Sequence, residues 1–425
     1  MTRHRLLRAV ASAAIALTTK GQSLLFLVAL LTYGGQSDIV RYGQYTSMQM
    51  LIGYVLFCST PFAHGRLIFT GADTREYRFI PITSALFLMQ AALLIFISLA
   101  VHALGDPNGT AYALLHTPTV CSIVLYLASE HFITTARSVD NSYYLGMAGA
   151  IRLLSAAALF GIGTIFKSTN FDQFLLSISA ASLIISFLGL LIFADKYQLV
   201  RELRKLWSSA QGFRETATFA LHFSFLPLCA WIQNLSGRLI VSTAEAAAPG
   251  YTIYSFAATN ASIVTLVVFD SMRSTLYNVR SSQHINYRWI RTFRLTALVN
   301  LAAFFLYGCF VVLAVYYYTS AYNIPFDPRW HALLSLSIAL TYFSGISEWL
   351  CISVGQLRIL NFAMGASTIF FAAYLFVEQM LRLNDLSTGL IVSSILSNLI
   401  FALICIIGNW TIVTRLLAPR GDLQS

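Results

Sequence analysis

Apolar runs, each about as long as the window of roughly 19 residues that identifies a membrane span, follow one another along the chain with short polar breaks between them. They lie at 9–33, 43–64, 80–104, 112–134, 144–166, 172–194, 217–241, 250–272, 295–318, 330–353, 361–381 and 388–411. A helix rising about 1.5 Å per residue crosses a hydrocarbon core about 30 Å thick in roughly 20 residues, so each run predicts a transmembrane helix. The runs at 43–64 and 250–272 are speckled with polar residues, which suits helices that face a wet interior.

Composition excludes a soluble alternative. The chain is 57% hydrophobic and 10% charged, and no window is polar enough to hold a soluble domain of roughly 100 residues. The expected fold class is all-α integral membrane, with about twelve transmembrane helices. Arg3, Arg5 and Arg8 ahead of an Ala-rich run resemble a signal peptide, but the apolar stretch continues to Tyr33 and reads as an uncleaved first helix.

Charge then orients the spans. The net charge of +10 is spread over short loops instead of one polar face, so it reports membrane topology and not nucleic-acid binding. With twelve spans both termini share a side; that side holds 20 of the 27 Lys and Arg residues, and the other holds only Arg41, Lys167, Arg329 and Arg382. Such a bias places both termini in the cytoplasm. The six cysteines all sit in apolar runs without CxxC spacing, as packing residues do.

The most polar connection, 195–216, falls near the middle and reads as a cytoplasmic linker between six-helix bundles at 1–194 and 217–411, with a cytoplasmic tail at 412–425. The halves resemble each other. Tyr77-Arg78-Phe79-Ile80 precedes the third span and Tyr287-Arg288-Trp289-Ile290 the ninth, with Gln90 and Asn300 at the same offset; Ser129-Glu130 ends the fourth span and Ser347-Glu348 the tenth. Six is an even number, so the pseudo-repeat is parallel, about an axis along the membrane normal.

Lys20-Gly21-Gln22 in the first span, Asp38 and Tyr42-Gly43-Gln44-Tyr45 at the second, and Glu245 with Pro249-Gly250-Tyr251 and Tyr254 at the eighth carry a resemblance. On these residues and their placement the chain resembles the polysaccharide transporters, the O-antigen flippases, of the multidrug, oligosaccharidyl-lipid and polysaccharide exporter superfamily. The resemblance implies two bundles around a V-shaped cavity that opens to either side in turn. It also implies a bacterial inner-membrane transporter that flips undecaprenyl-pyrophosphate-linked oligosaccharide from the cytoplasmic to the periplasmic leaflet. Its partners would be that substrate, membrane lipids, and a glycan polymerase with chain-length machinery. The related lipid II flippases have two further helices, and the drug exporters an acidic residue deep in the first span; neither feature stands in this sequence.

Ionisable groups within spans generally face a bundle interior or water. They are Lys20, Glu130, His131 and Arg152 in the first half, and His222, Arg238, Asp270 and Glu348 in the second. A pyrophosphate calls for cationic donors and sugars for amides, so Lys20, Gln22, Arg152, Asn234, Arg238 and Asn260 are the expected substrate contacts. Glu130, Glu348 and Asp270 are expected to gate or couple. The structural alternatives stay open: Arg152 balancing Glu130, Arg238 snorkelling to an interface, and the glutamates joining helix ends. No HExxH, DxD, GxSxG or Gly-rich phosphate loop stands on a polar segment, so no enzyme, cofactor or metal site is expected. The alternative functions are cation-coupled multidrug antiport on the same fold and, from another class, a membrane glycan polymerase or glycosyltransferase.

Overall fold

The structure, a computed structural model, describes residue 18 and residues 21–55, 57, 79–104, 116–138, 141–197, 224–241, 246–279, 285–381 and 383–417. Among these the regular elements are all helices. In the first half they are α1 (Gly21–Tyr33), α2 (Gln36–Val55), α3 (Phe79–Leu104), α4 (Thr117–Ser138), α5 (Ser142–Phe166) and α6 (Phe171–Tyr197). The second half has α7 (224–234), the single turn α8 (Gly237–Ile240), α9 (Ala248–Asn260), α10 (Ser262–Val279), α11 (Tyr287–Ala321), α12 (Pro328–Val354), α13 (Leu357–Leu381), α14 (Leu386–Gly408) and α15 (Trp410–Leu417). Every expected span meets a described helix, and nine of the described stretches are long and apolar enough to cross a membrane. The all-α membrane fold read from the sequence is therefore the fold observed. On α11, Phe305, Leu306 and Phe310 are 71%, 70% and 71% exposed, a surface that suits lipid and not water.

The helices form two compact units, one over Thr18–Leu228 and one containing Cys229–Ser425. The division falls inside α7; of the expected linker, the residues after Tyr197 lie outside the described residues.

In the first unit, Phe26, Tyr42 and Tyr45 pack edge-on against Phe174, with ring centroids 4.8–5.2 Å apart. The Tyr42 hydroxyl donates to the Ser23 carbonyl, and Tyr45 bonds Ser122. Asp38 accepts from the backbone N–H of Gly35 and, across the unit, of Phe171 at the start of α6. Two motif tyrosines and the motif aspartate thus serve the framework.

In the second unit, Phe269, Trp289, Phe293 and Trp349 pack with ring centroids 5.1–5.6 Å apart. Ile412, Val413 and Leu416 of α15 close that core. Gly250 follows Pro249 in the first turn of α9, where a β-carbon would strike the Pro325 carbonyl and crowd the Trp330 ring. Only glycine fits this close approach.

The span expected at 250–272 is two helices meeting at Ala261. Tight i→i+3 bonds bracket the joint, from Ala261 N–H to Ala258 and from Val264 N–H to Ala261. The Thr259 and Ser262 hydroxyls back-bond to the Ser255 and Thr259 carbonyls, and such competition with the backbone bends helices. Its polar residues Thr252, Ser255 and Asn260 are buried; the Thr252 hydroxyl donates to the Ala248 carbonyl, and Ser255 Oγ accepts from Arg238 Nε.

Candidate functional site

Each unit holds a buried polar cluster. In the first, positions 126, 129 and 130 of α4 share one helical face and meet Arg152 of α5. Arg152 Nη2 lies 2.6 Å from Glu130 Oε1, with the side chains 2% and 8% exposed. It also donates to Ser129 Oγ at 3.3 Å, and its guanidinium sits 5.3 Å from the centre of the Tyr126 ring. Arg152 is ten residues into α5, about 15 Å along the helix axis. Full snorkelling from that depth is out of a side chain's reach, so pairing supplies the neutralisation. The cluster extends sideways: Gln22 Nε2 donates to Ser155 Oγ at 3.0 Å, Ser155 Oγ to the Arg152 carbonyl at 2.8 Å, and Ser177 Oγ to the Ser155 carbonyl at 2.8 Å. One chain of bonds thereby ties α1, α5 and α6.

In the second unit a wide turn after α7 aims Arg238 at α9. The Leu235 and Ser236 N–H groups share the Trp231 carbonyl before Arg238 N–H bonds the Leu235 carbonyl. Arg238 is 3% exposed. Its Nε donates to Ser255 Oγ at 2.8 Å and its Nη2 to Thr259 Oγ1 at 2.9 Å, while Phe256 lies 3.9 Å beneath the guanidinium. Positions 255, 256 and 259 are one turn of α9, so two hydroxyls and an aromatic face receive one planar cation.

Beside Arg238, the Asn234 side-chain oxygen accepts from Ser394 Oγ at 3.2 Å and Asn398 Nδ2 at 3.3 Å. Gln233 Nε2 donates to Ser367 Oγ at 2.8 Å and Thr368 Oγ1 at 2.7 Å. Amides of α7 thus bind α13 and α14 through three hydroxyls and the Asn398 amide.

The expected residues fall out as follows. Gln22, Glu130 and Arg152 come together in the first unit, and Asn234 and Arg238 in the second. Asn260 is buried in the last turn of α9. Glu348 is half-buried on α12, and Asp270 belongs to α10, its side chain lying outside the described residues. Lys20 and His222 also lie outside them. Among the described residues no group of three or more His, Cys, Asp or Glu gathers as a metal site.

Sequence reading missed Tyr126, Ser255, Thr259, Gln233, Ser394 and Asn398. Their signal was faint: hydroxyls and amides spaced three or four apart in apolar helices, which become legible only beside their partners.

The fold has counterparts among solved structures. A mutant of the MATE transporter VcmN from Vibrio cholerae matches with a TM-score of 0.56 and 14% identity over 95% of this chain and 98% of that one. A MATE transporter in complex with MaD3S matches at 0.57 and 13% identity over 98% and 99%. A MOP superfamily transporter from Pyrococcus furiosus matches at 0.53 and 11% identity over 98% and 96%, and its description speaks of a reversed binding-pocket polarity and a different function. No protein-family model matches the sequence. No curated protein matches it either.

Proposed function

We propose that this chain, which has the transporter fold of the structures just described, flips a lipid-linked oligosaccharide across the bacterial inner membrane. The cargo is undecaprenyl-pyrophosphate-linked glycan for surface polysaccharide. The observation that carries the reading is the cluster around Arg238 and Asn234, which offers a buried guanidinium with amides and hydroxyls on adjoining helices. Guanidinium groups suit phosphate, and amides suit sugar hydroxyls. In the first unit the carboxylate of the polar cluster is tied to Arg152, which leaves it poorly placed to attract an organic cation. Within the second unit Arg238 is assigned an anionic head group, with Asn234 and Asn260 on the glycan; within the first, Lys20 is assigned an anionic group and Gln22 a sugar hydroxyl. Arg152 orders the first cluster through Glu130.

Reconstitution into liposomes tests the proposal. Lipid-linked oligosaccharide loaded in one leaflet should become accessible to a membrane-impermeant lectin from the other side. Lys20→Arg should keep most of that rate, whereas Lys20→Ala should lose roughly tenfold or more, the size of a charge-assisted hydrogen bond of about 1.5–3 kcal/mol. Full flipping by Lys20→Ala at normal abundance removes Lys20 from the site. The second reading is cation-coupled drug antiport, which the same fold could serve, the fold being shared with MATE transporters. Efflux of organic cations with no lectin access would establish it in place of the first.

A further inference from the structure

The first turns of α11 carry Arg288, Arg291 and Arg294, and the last described helix, α15, carries Arg415. α15 packs against α11 and α14, and Arg294 Nη2 donates to the Arg415 carbonyl at 3.0 Å. These arginines therefore belong to one corner of the second unit. α11, α14 and α15 contain no Asp or Glu. On the other helices packed against α11, the acidic residues are Asp270 of α10 and the half-buried Glu348 of α12.

Both helices pass from charge to exposed hydrocarbon over a short distance. On α11, Arg288, Arg291, Leu295 and Leu298 share one exposed face, opposite the buried Trp289 and Phe293, because positions three, four and seven apart align along a helix. Arg291 stands about 6 Å along the axis from Leu295, where the outward apolar surface begins. On α15, Ile412, Val413 and Leu416 close the core. At 3.6 residues per turn, the apolar arc continues past them to Trp410 and Leu417, which are 57% and 77% exposed. Thr411, Thr414 and Arg415 fill the opposite, polar arc. A helix with more apolar surface than its own protein covers suits the plane of a membrane interface, the level that tryptophan favours.

We propose that this corner binds an anionic phospholipid of the surrounding bilayer. Arg288, Arg291 and Arg415 meet the head-group phosphate, and the acyl chains lie on the exposed apolar faces of α11 and α15. Charge complementarity selects the occupant: exposed guanidinium groups without acidic residues on their own helices attract an anion. The adjoining apolar faces call for chains as well, which free phosphate lacks. Arg294 holds α15 in place through the Arg415 carbonyl. The site is argued independently of the cargo.

Native mass spectrometry of the full-length protein tests it, using detergent micelles that contain equal amounts of dioleoyl phosphatidylglycerol and dioleoyl phosphatidylcholine. The parent should retain phosphatidylglycerol preferentially. Combining Arg288→Gln, Arg291→Gln and Arg415→Gln should weaken its retention roughly tenfold or more, since each basic residue near a lipid surface contributes about 1 kcal/mol, and leave phosphatidylcholine unaffected. Arg288→Gln and Arg415→Gln alone, exposed single changes that should fold normally, should each weaken it roughly two- to fivefold. Arg41→Gln, which removes an exposed arginine from the first unit, should change nothing. Millimolar inorganic phosphate should not displace the lipid. No preference in the parent, or retention untouched by the arginine substitutions, overturns the proposal. So does an equal loss in Arg41→Gln, which would show a general charge effect, or displacement by phosphate, which would show a site for a soluble anion.

Discussion

A buried arginine has to answer for its charge, and the two arginines described inside the spans do so differently. Arg152 faces a carboxylate at 2.6 Å, with Ser129 and the Tyr126 ring beside it. Removing one partner of such a pair strands the other in a low-dielectric interior at a cost of about 3–5 kcal/mol, whereas replacing both by apolar side chains of similar volume is often close to neutral. Arg152→Ala and Glu130→Ala should therefore each lower abundance and the thermal midpoint in detergent sharply. The double substitution Glu130→Met with Arg152→Met should recover most of both. Singles indistinguishable from the parent protein would show that the pair contributes no stability. Arg238 is held by the hydroxyls of Ser255 and Thr259 and the face of Phe256, an environment in which the cation's hydrogen-bonding groups converge on one turn of α9.

The helices begin and end where caps and competing hydrogen bonds dictate. Asn286 accepts from Trp289 N–H ahead of α11, and Asp385 from Thr388 N–H ahead of α14. Asp327 caps α12 by accepting from Arg329 N–H at 2.8 Å, with Pro328 in the first helical position. Hydrogen bonding from the Arg329 side chain, helped by that backbone bond, holds the Asp327 carboxyl below the ordinary carboxylate range. The folded-state value is the lower one, so the stabilisation is complete above the ordinary value and is lost as pH falls through the folded one. Asp327→Asn, which keeps a capping oxygen but cannot titrate, should show a flatter acid dependence of the thermal midpoint than the parent. Asp327→Ala should lose about 0.5–1 kcal/mol at neutral pH, toward the low end for a cap in a solvent-accessible position. Equal acid dependence in the parent and Asp327→Asn would refute the role.

At the scale of the whole chain, the asymmetry of Lys and Arg sets orientation. With 20 of 27 on one side, the segment 195–216 is expected in the cytoplasm and Asn108 in the periplasm. In a cysteine-free background, a membrane-impermeant thiol reagent applied to intact cells should label Asn108→Cys and leave Ser208→Cys unmodified. The reverse labelling would invert the topology and, with it, the direction of proposed transport. The two units carry their polar interiors separately, Gln22 with Glu130 and Arg152 in one, Asn234 with Arg238 in the other.

Lipid solvent explains why so much was legible without coordinates. A helix in hydrocarbon satisfies its own backbone and must stay apolar over the full bilayer thickness, so each span announces itself in the sequence. Helix breaks were less legible: the joint at Ala261 depends on hydroxyls that could equally have bonded elsewhere. Partners were legible only as open alternatives. Glu130 and Arg152 were each recognisable as costly residues, but whether they met one another depended on how α4 and α5 rotate about their axes. Hydropathy is nearly blind to that rotation when a helix is apolar on most sides. Glu378, at the end of an apolar run, was passed over for the same reason. Only tertiary packing placed its carboxyl at Gly389, where helix approach leaves an oxygen without a donor.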